Sequence, residues 1–186
     1  MLIMGDSLSA EYGIRRGSGW PALLGNRLAS EKLPWRMVNA SVSGETTSGG
    51  LRRLPALLAQ HQPHLVLLEL GANDGLRGLS LQAMQANLQA MVEMSRQRGA
   101  QVMIIGIRVP PNYGRDYTER FAQVFVDLAR KDRLPLLPFL FDGIATQPEF
   151  FQADRLHPTE EAQPLLLANV WRVLSPVLDA RRSRVK

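Results

Sequence analysis

Five short apolar runs recur along the chain and indicate β-strands. They lie at residues 2–4, 37–40, 65–70, 102–107 and 136–139. The middle runs do not alternate strictly between apolar and polar residues, which is typical of strands that are covered on both faces of a sheet. The chain is therefore expected to contain a buried parallel sheet.

The segments between these runs carry apolar residues at the i, i+3, i+4 spacing of amphipathic helices. The pattern is clearest at Trp20, Leu23, Leu24 and Leu28, at Leu51, Leu54, Leu57 and Leu58, at Met84, Leu88, Met91 and Val92, at Phe121, Val124, Phe125 and Leu128, and at Leu165, Leu166, Val170 and Val173. Pro55 predicts a bend or a late start in the second helix. Strands that alternate with helices from end to end predict right-handed crossovers with helices on both faces of the sheet. The predicted fold is α/β, a three-layer α/β/α sandwich.

Composition indicates an ordinary soluble domain. Of the 186 residues, 45% are hydrophobic and 21% are charged, and no apolar run is long enough to cross a bilayer. We expect one domain over residues 1–178, followed by a basic tail at 179–186. Much of the net charge of +5 comes from that tail, so the charge does not predict a nucleic-acid partner.

The cysteine and histidine content limits the nucleophiles and metal sites that the chain can form. The chain has no cysteine, which excludes disulfides, thiolate metal sites and cysteine nucleophiles. Two of its three histidines, His61 and His64, flank a predicted helix end and are predicted to be surface loop residues. They lack acidic or cysteine companions, so no metal site is predicted.

Ser7 lies directly after the first apolar run, in the sequence Gly5-Asp6-Ser7-Leu8-Ser9. Open α/β sheets bind ligands at the carboxyl ends of their strands, and backbone N–H groups at a helix start face the same space. Gly-Asp-Ser is also ordinary turn chemistry, so the motif alone does not decide its role. Our hypothesis is that this serine is a nucleophile.

A second polar loop follows the second predicted strand and contains Gly44. A glycine at this position lets the backbone approach a ligand closely, so its N–H can serve as a donor. Alternatively the segment is a plain strand-to-helix loop with a helix cap at Thr46, Thr47 or Ser48. Taken by itself, the loop favours this second interpretation.

The third strand ends in Gly71-Ala72-Asn73-Asp74-Gly75. Asn-Asp-Gly strongly predicts a turn, and a turn of this kind needs no catalytic role to explain it. Asn73 nevertheless falls at the same sheet edge as the candidate serine, and a neutral amide donor suits an oxyanion. Asp74 is expected to organise the loop by accepting backbone N–H groups.

A fourth candidate site lies near the carboxyl end, in the sequence Asp154-Arg155-Leu156-His157-Pro158. Pro158 keeps the histidine out of helical geometry and places it on a constrained loop before the last helix. Asp154, three residues earlier, can accept the ring N–H and thereby fix the tautomer and stabilise the imidazolium.

Together these four loops resemble the four sequence blocks of the SGNH (GDSL-type) hydrolase family. The blocks are Gly-Asp-Ser-Leu-Ser, the glycine at position 44, Gly-x-Asn-Asp and Asp-x-x-His, and the similarity spans residues 2–178. Within the family, four connecting stretches are similar to the bacterial thioesterase I, arylesterase and lysophospholipase branch. These stretches are residues 42–46, 69–78, 110–114 and 162–164.

The resemblance implies a complete set of catalytic residues. Ser7 would be the nucleophile and His157 the general base, with Asp154 orienting the imidazole. The oxyanion would be held by the backbone N–H groups of Ser7 and Gly44 and by the side-chain amide of Asn73. The resemblance also implies a flavodoxin-like sheet of strand order 2-1-3-4-5, in agreement with the predicted sandwich.

The implied substrates are small-molecule acyl or aryl esters, acyl thioesters or lysophospholipids. We expect no cofactor, no metal, no nucleic acid, no stable membrane insertion and no obligate protein partner. Relatives are commonly made with a secretion leader, which implies a periplasmic or secreted protein. No leader is visible before the first predicted strand, so a cytoplasmic location stays open.

The acyl pocket is expected to involve the glycine-flanked loop that follows Asn73. Leu76 and Leu79 on that loop, with Pro110 and Tyr113 after the fourth strand, are candidate pocket residues. The alternative for both leucines is plain packing onto the next helix.

Two other functions fit the same fold. A carbohydrate O-acetyl esterase would keep the catalytic residues and change the substrate. A non-catalytic flavodoxin-like protein would bind an anion at the sheet edge.

Overall fold

A computed structural model describes residues 1–182 of the chain, with side-chain burial described through residue 180. Its centre is a five-stranded sheet in the order β2-β1-β3-β4-β5, and all neighbouring strands are parallel. The strands are β1 (Leu2–Gly5), β2 (Val38–Asn39), β3 (Leu65–Glu69), β4 (Gln101–Ile105) and β5 (Leu136–Leu137). The predicted strand positions and strand order are confirmed.

Within residues 1–182, six helices cover this sheet. They are α1 (Trp20–Ser30), α2 (Thr47–His61), α3 (Ala72–Leu76), α4 (Leu81–Gln97), α5 (Arg115–Asp132) and α6 (Gln163–Arg182). Helix α1 packs with α6, whereas α2, α4 and α5 pack side by side in a second group, which gives the predicted three layers. None of the helices within residues 1–182 combines the length and the apolar character needed to cross a membrane.

The core is built from the strands and the apolar stripes of the helices. β1 and β3 are buried along their whole length, because helices cover both faces of the central strands. The largest fully buried side chains include Trp20 on α1 and Phe121 and Phe125 on α5. Each of these three aromatic residues lies on a predicted helical stripe, so the 3.6-residue periodicity located the core faces correctly.

Pro55 was predicted to bend α2 or to delay its start, and the late start is wrong. The helix begins at Thr47, where the hydroxyl of Thr46 accepts a hydrogen bond from the N–H of Gly49 at 3.2 Å. Pro55 sits on the solvent side of the helix, while Leu54 and Leu58 are buried. Packing of that buried face compensates for the backbone hydrogen bond that proline cannot make.

The expected boundary at residue 179 falls inside α6, which continues to Arg182. The remainder of the predicted basic tail, residues 183–186, lies outside the described residues.

Candidate active site

Ser7 is presented by a tight turn at the end of β1. The carbonyl of Asp6 accepts the N–H groups of Ser9 at 3.2 Å and Ala10 at 2.9 Å, and its carboxylate accepts the N–H of Leu8 at 3.0 Å. Gly5 is required just before this turn, because a Cβ there would lie within 2.8 Å of atoms of Ser9 and Glu69. The close packing of Gly5 against Ser9 and Glu69 sets the path of the turn, which places Ser7 at the carboxyl edge of the sheet.

His157 lies on a hairpin-like loop between β5 and α6. The loop is closed by an antiparallel bridge between Phe151 and Pro158 and by a 2.8 Å hydrogen bond from the N–H of Gln152 to the carbonyl of His157. Asp154 organises its tip by accepting the N–H groups of Leu156 at 2.9 Å and His157 at 3.0 Å. The Asp-x-x-His spacing therefore folds back on itself as expected.

The two loops meet although 150 residues separate Ser7 from His157. The Nε2 atom of His157 lies 2.9 Å from the Oγ of Ser7, and its Nδ1 lies 2.6 Å from the Oδ2 of Asp154. Burial raises the pKa of Asp154, but the N–H groups of His157 and Leu156 and the imidazole outweigh it and lower that pKa to about 2. An ionised carboxylate, an imidazole and a hydroxyl thus stand in a line that can move a proton away from Ser7.

Asn73 lines the same cavity as Ser7. Its side-chain amide donates to the carbonyl of Glu45 at 3.0 Å and to the Oδ2 of Asp6 at 3.2 Å. These two acceptors fix the orientation of the amide group. Both of its N–H groups face protein acceptors, and the bond to Asp6 is the longer of the two.

Gly44 lies on the loop after β2 at φ +78°, a left-handed conformation that favours glycine. The guanidinium of Arg77 donates to its carbonyl at 3.0 Å, which ties this loop to the end of α3. Neither the N–H of Gly44 nor that of Ser7 donates to a backbone carbonyl among residues 1–182. Gly44 is not among the residues that line the cavity around Ser7.

Asp74 is not part of the group formed by the side chains of Ser7, His157 and Asp154. Its carboxylate is buried and accepts the N–H of Thr47 at 2.8 Å and the hydroxyl of Thr47 at 2.6 Å. It thereby joins α3 to the amino end of α2. Asp74 accepts a backbone N–H as predicted, but that N–H belongs to α2 and not to the loop of Asp74 itself.

A cavity of about 950 Å³ opens beside Ser7 and His157 and runs along α5. Its apolar wall is formed by Leu76, Ile107, Val109, Pro110, Phe139, Phe141 and Phe151. Two of the four candidate pocket residues, Leu76 and Pro110, therefore line it. Leu79 and Tyr113 do not: both are more than a third exposed, and the hydroxyl of Tyr113 donates to the carbonyl of Leu76 at 2.9 Å.

Comparison with known proteins places this arrangement in a family. A model of the GDSL-like lipase/acylhydrolase family matches residues 3–164. The chain belongs to that family.

The relatives of this GDSL-like hydrolase include proteins named as esterases and thioesterases. It is 48% identical over 178 residues to Esterase TesA of Pseudomonas aeruginosa, covering 96% of this chain and 89% of that protein. It is 42% identical over 179 residues to Thioesterase 1/protease 1/lysophospholipase L1 of Escherichia coli strain K12, covering 96% and 85%. A crystal structure of the psychrotrophic esterase EstA from Pseudoalteromonas sp., inhibited by monoethylphosphonate, superimposes with a TM-score of 0.91 at 42% identity, covering 96% and 97% of the two chains.

Beneath the site of this GDSL-like hydrolase, the carboxyl groups of Asp6 and Glu69 are fully buried next to each other. The Oε2 of Glu69 accepts the hydroxyl of Ser9 at 2.7 Å and the N–H of Asp6 at 3.3 Å. Burial raises the pKa of Asp6 from 3.8 to about 6, against the opposing effects of the Leu8 N–H, His157 and Asn73. Burial and the neighbouring Asp6 raise the pKa of Glu69 well above 4.5.

These raised pKa values predict a pH-dependent stability. A carboxyl group whose pKa is higher in the folded than in the unfolded state stabilises the fold below its unfolded pKa, and loses that contribution as pH rises through the folded pKa. The Glu69→Gln variant keeps an oxygen acceptor for Ser9 but carries no charge. We expect it to raise Tm at about pH 8 by roughly 3–6 °C and to leave Tm near pH 4.5 unchanged.

Thermal unfolding followed by circular dichroism at both pH values measures this effect. The Glu93→Gln variant removes an exposed carboxylate on α4 and is the matched control, with no expected change in Tm at either pH. A Glu69→Gln protein that is less stable than the wild type at about pH 8 would show that Glu69 is ionised and stabilising there.

Sequence reasoning missed several residues of this site. Glu69 carried a usable signal, since it is the charged residue within an otherwise apolar strand. Arg77 gave no such signal, because the sequence does not distinguish a surface arginine that hydrogen-bonds to a neighbouring backbone carbonyl from one that does not. The sequence did not indicate that three aromatic rings, from separate turns of a loop, would line one cavity. These rings belong to Phe139, Phe141 and Phe151.

Proposed function

We propose that this protein hydrolyses acyl esters and thioesters with Ser7 as nucleophile, His157 as general base and Asp154 as the group that orients the imidazole. The observation that carries the proposal is the unbroken chain of contacts, 2.9 Å and 2.6 Å long, at the mouth of an apolar cavity. The family and the relatives named as esterase and thioesterase support the same reaction class. Inhibition of the related EstA by a phosphonate fits an enzyme that forms a covalent bond through a hydroxyl.

The reaction proceeds in two acyl-transfer steps. The Oγ of Ser7 bonds to the carbonyl carbon while Nε2 of His157 takes the hydroxyl proton. The imidazolium then gives that proton to the departing alcohol or thiol, which leaves an acyl-enzyme. A water molecule repeats the attack with the same base, releases the carboxylic acid and restores the hydroxyl of Ser7.

The negative charge on the carbonyl oxygen needs donors that are already in place. We assign this role to the N–H groups of Ser7 and Gly44, which donate to no backbone carbonyl in the described chain, and to the amide of Asn73. The developing oxyanion takes over the N–H that Asn73 directs to Asp6, which is the longer of its two bonds at 3.2 Å. Arg77 holds the Gly44 loop in position through the carbonyl of that glycine.

The cavity favours a substrate with an extended acyl group. A volume of about 950 Å³ is at the upper end of the range for small-molecule sites, and its wall is mainly apolar. An acetyl group would fill little of it and would contact few of the phenylalanines. This observation favours acyl esters and thioesters over the acetylated carbohydrates that a related activity would use.

A chain-length series tests the proposed function. The purified protein is assayed with 4-nitrophenyl esters and acyl-CoA thioesters from acetyl to dodecanoyl, with the spontaneous rate subtracted. We expect turnover of both series and a kcat/KM that rises from acetyl to medium-length acyl groups. A protein that hydrolyses acetylated xylan oligomers faster than every member of both series would favour the O-acetyl esterase instead.

Leu76, the last residue of α3, and Leu79, in the loop that follows, provide a matched pair for the acyl pocket. Leu76 lines the cavity, whereas Leu79 is 44% exposed and does not line it. We expect Leu76→Ala to lower kcat/KM for octanoyl esters by about tenfold, because an apolar contact with the acyl chain is lost. The same series should show no change for Leu79→Ala, and equal effects of the two substitutions would contradict this pocket assignment.

A further inference from the structure

The ring of Tyr12 lies against the ring of His157. Their centroids are 4.3 Å apart and their planes are inclined by 39°. The Tyr12 side chain is about half exposed, at 50%. It therefore covers the imidazole from the solvent side and contributes little to the core.

The backbone that presents Tyr12 is in an unfavourable conformation. Glu11, the preceding residue, has φ +60°, which is costly for a residue with a side chain. Its carboxylate accepts the N–H of Gly17 at 2.9 Å and that of Gly19 at 2.9 Å. These hydrogen bonds hold the loop in this shape and fix the direction in which Tyr12 leaves the backbone.

Gln152 links the same backbone to the loop of His157. Its amide donates to the carbonyl of Tyr12 at 2.9 Å and to the carbonyl of Pro158 at 3.0 Å. There is no room for a side chain beside it, because a Cβ on Gly13 would lie 2.1 Å from the Oε1 of Gln152. The segment after Ser7 and the residue after His157 are thus joined through one amide group.

We propose that Tyr12 is a positioning residue: its ring holds the imidazole of His157 at Ser7 and stabilises the imidazolium formed in each acyl-transfer step. This inference rests on the proposed function, in which His157 is the base. An aromatic face attracts a cation that lies within about 6 Å of the ring centre. Two acidic groups interact with the imidazole: the carboxylate of Asp154 at Nδ1, and the buried Asp6 electrostatically. Tyr12 therefore adds to the stabilisation that these two carboxylates give to the positive charge of the His157 imidazolium.

Two variants test the proposal kinetically with a 4-nitrophenyl ester. Tyr12→Leu removes the aromatic face, and we expect kcat to fall about 3- to 30-fold with KM within about twofold of the wild type. Tyr12→Phe keeps the ring and should retain kcat within about twofold. Wild-type kcat in Tyr12→Leu, a rise in KM alone, or an equal loss in Tyr12→Phe would each overturn the proposal.

The Ser7→Ala variant is measured in parallel, so that the two hypotheses can fail separately. If Ser7→Ala keeps wild-type turnover, the proposed function is wrong whatever Tyr12 does. If Ser7→Ala is inactive and Tyr12→Leu is fully active, only the role of Tyr12 is wrong.

NMR of the unsubstituted protein tests the contact without relying on a variant that folds. The chain has three histidines, which makes their ring protons simple to assign. We expect ring-current shifts and through-space contacts to Tyr12 for His157, with neither present for His61 or His64. The His157 ring shifts should persist in Tyr12→Phe and disappear in Tyr12→Leu. A wild-type spectrum without contacts between these two rings would overturn the proposal.

Discussion

Replacing Ser7 by alanine is expected to lower kcat for aryl-ester hydrolysis by about 10⁴- to 10⁶-fold. The substitution removes the oxygen that forms the acyl-enzyme, and the residual rate would come from binding and oxyanion stabilisation alone. His157→Ala should cause a similar loss, because the hydroxyl then keeps its proton. The double variant should be no slower than either single variant, since the two residues act as one unit.

Steady-state rates of purified variants measure these losses, and the melting temperature shows whether each protein is folded. Ser30→Ala is the matched control, because Ser30 lies at the exposed end of α1, remote in sequence from the four loops of the site. Incubation with an ethyl phosphonate ester should add one phosphonyl group to the wild type and none to Ser7→Ala. A Ser7→Ala protein that keeps more than about a hundredth of the wild-type rate would exclude this serine as nucleophile.

Replacing Asn73 by alanine is expected to lower kcat by about 10²- to 10³-fold, the usual effect of losing one oxyanion donor. KM should change by less than about threefold, because the donor acts on charge that develops in the transition state. The substitution also removes the hydrogen bonds to Glu45 and Asp6. Some loss of thermal stability should therefore accompany the loss of rate.

A second asparagine separates these two effects. The amide of Asn87 donates to the hydroxyl of Thr47 at 3.1 Å and so supports the network around Asp74 without lining the cavity. Asn87→Ala should lower the melting temperature and keep kcat within about twofold. If Asn87→Ala and Asn73→Ala reduce kcat equally, the effect of Asn73 is structural and its assignment as an oxyanion donor fails.

The sheet could be predicted from sequence because its central strands, β1 and β3, are buried along their whole length. Each strand is an apolar run bounded by turn residues, and each helix has a clear 3.6-residue stripe, so local patterns and the right-handed crossover rule were sufficient. The positions of Ser7 and His157 followed for the same reason. Both lie just beyond a strand or before a helix, at the edge where parallel strands end.

The contacts that support those residues could not be predicted in this way. Tyr12 lies on a loop held by a residue with positive φ, and no periodic pattern reports where such a loop directs a ring. Leu76 ends α3 and Leu79 lies three residues later in the following loop, and of these two leucines only Leu76 lines the cavity. Their difference depends on how the short helix α3 ends, which propensities do not determine.

The 150-residue separation between Ser7 and His157 has a consequence during synthesis. The ribosome makes Ser7, the proposed nucleophile, 150 residues before His157, the proposed base, which follows all five strands of the described sheet. A nascent chain can therefore expose Ser7 without being able to attack an ester. On the proposed mechanism, hydrolysis requires that the final helix has emerged and that the loop of His157 has packed against Ser7.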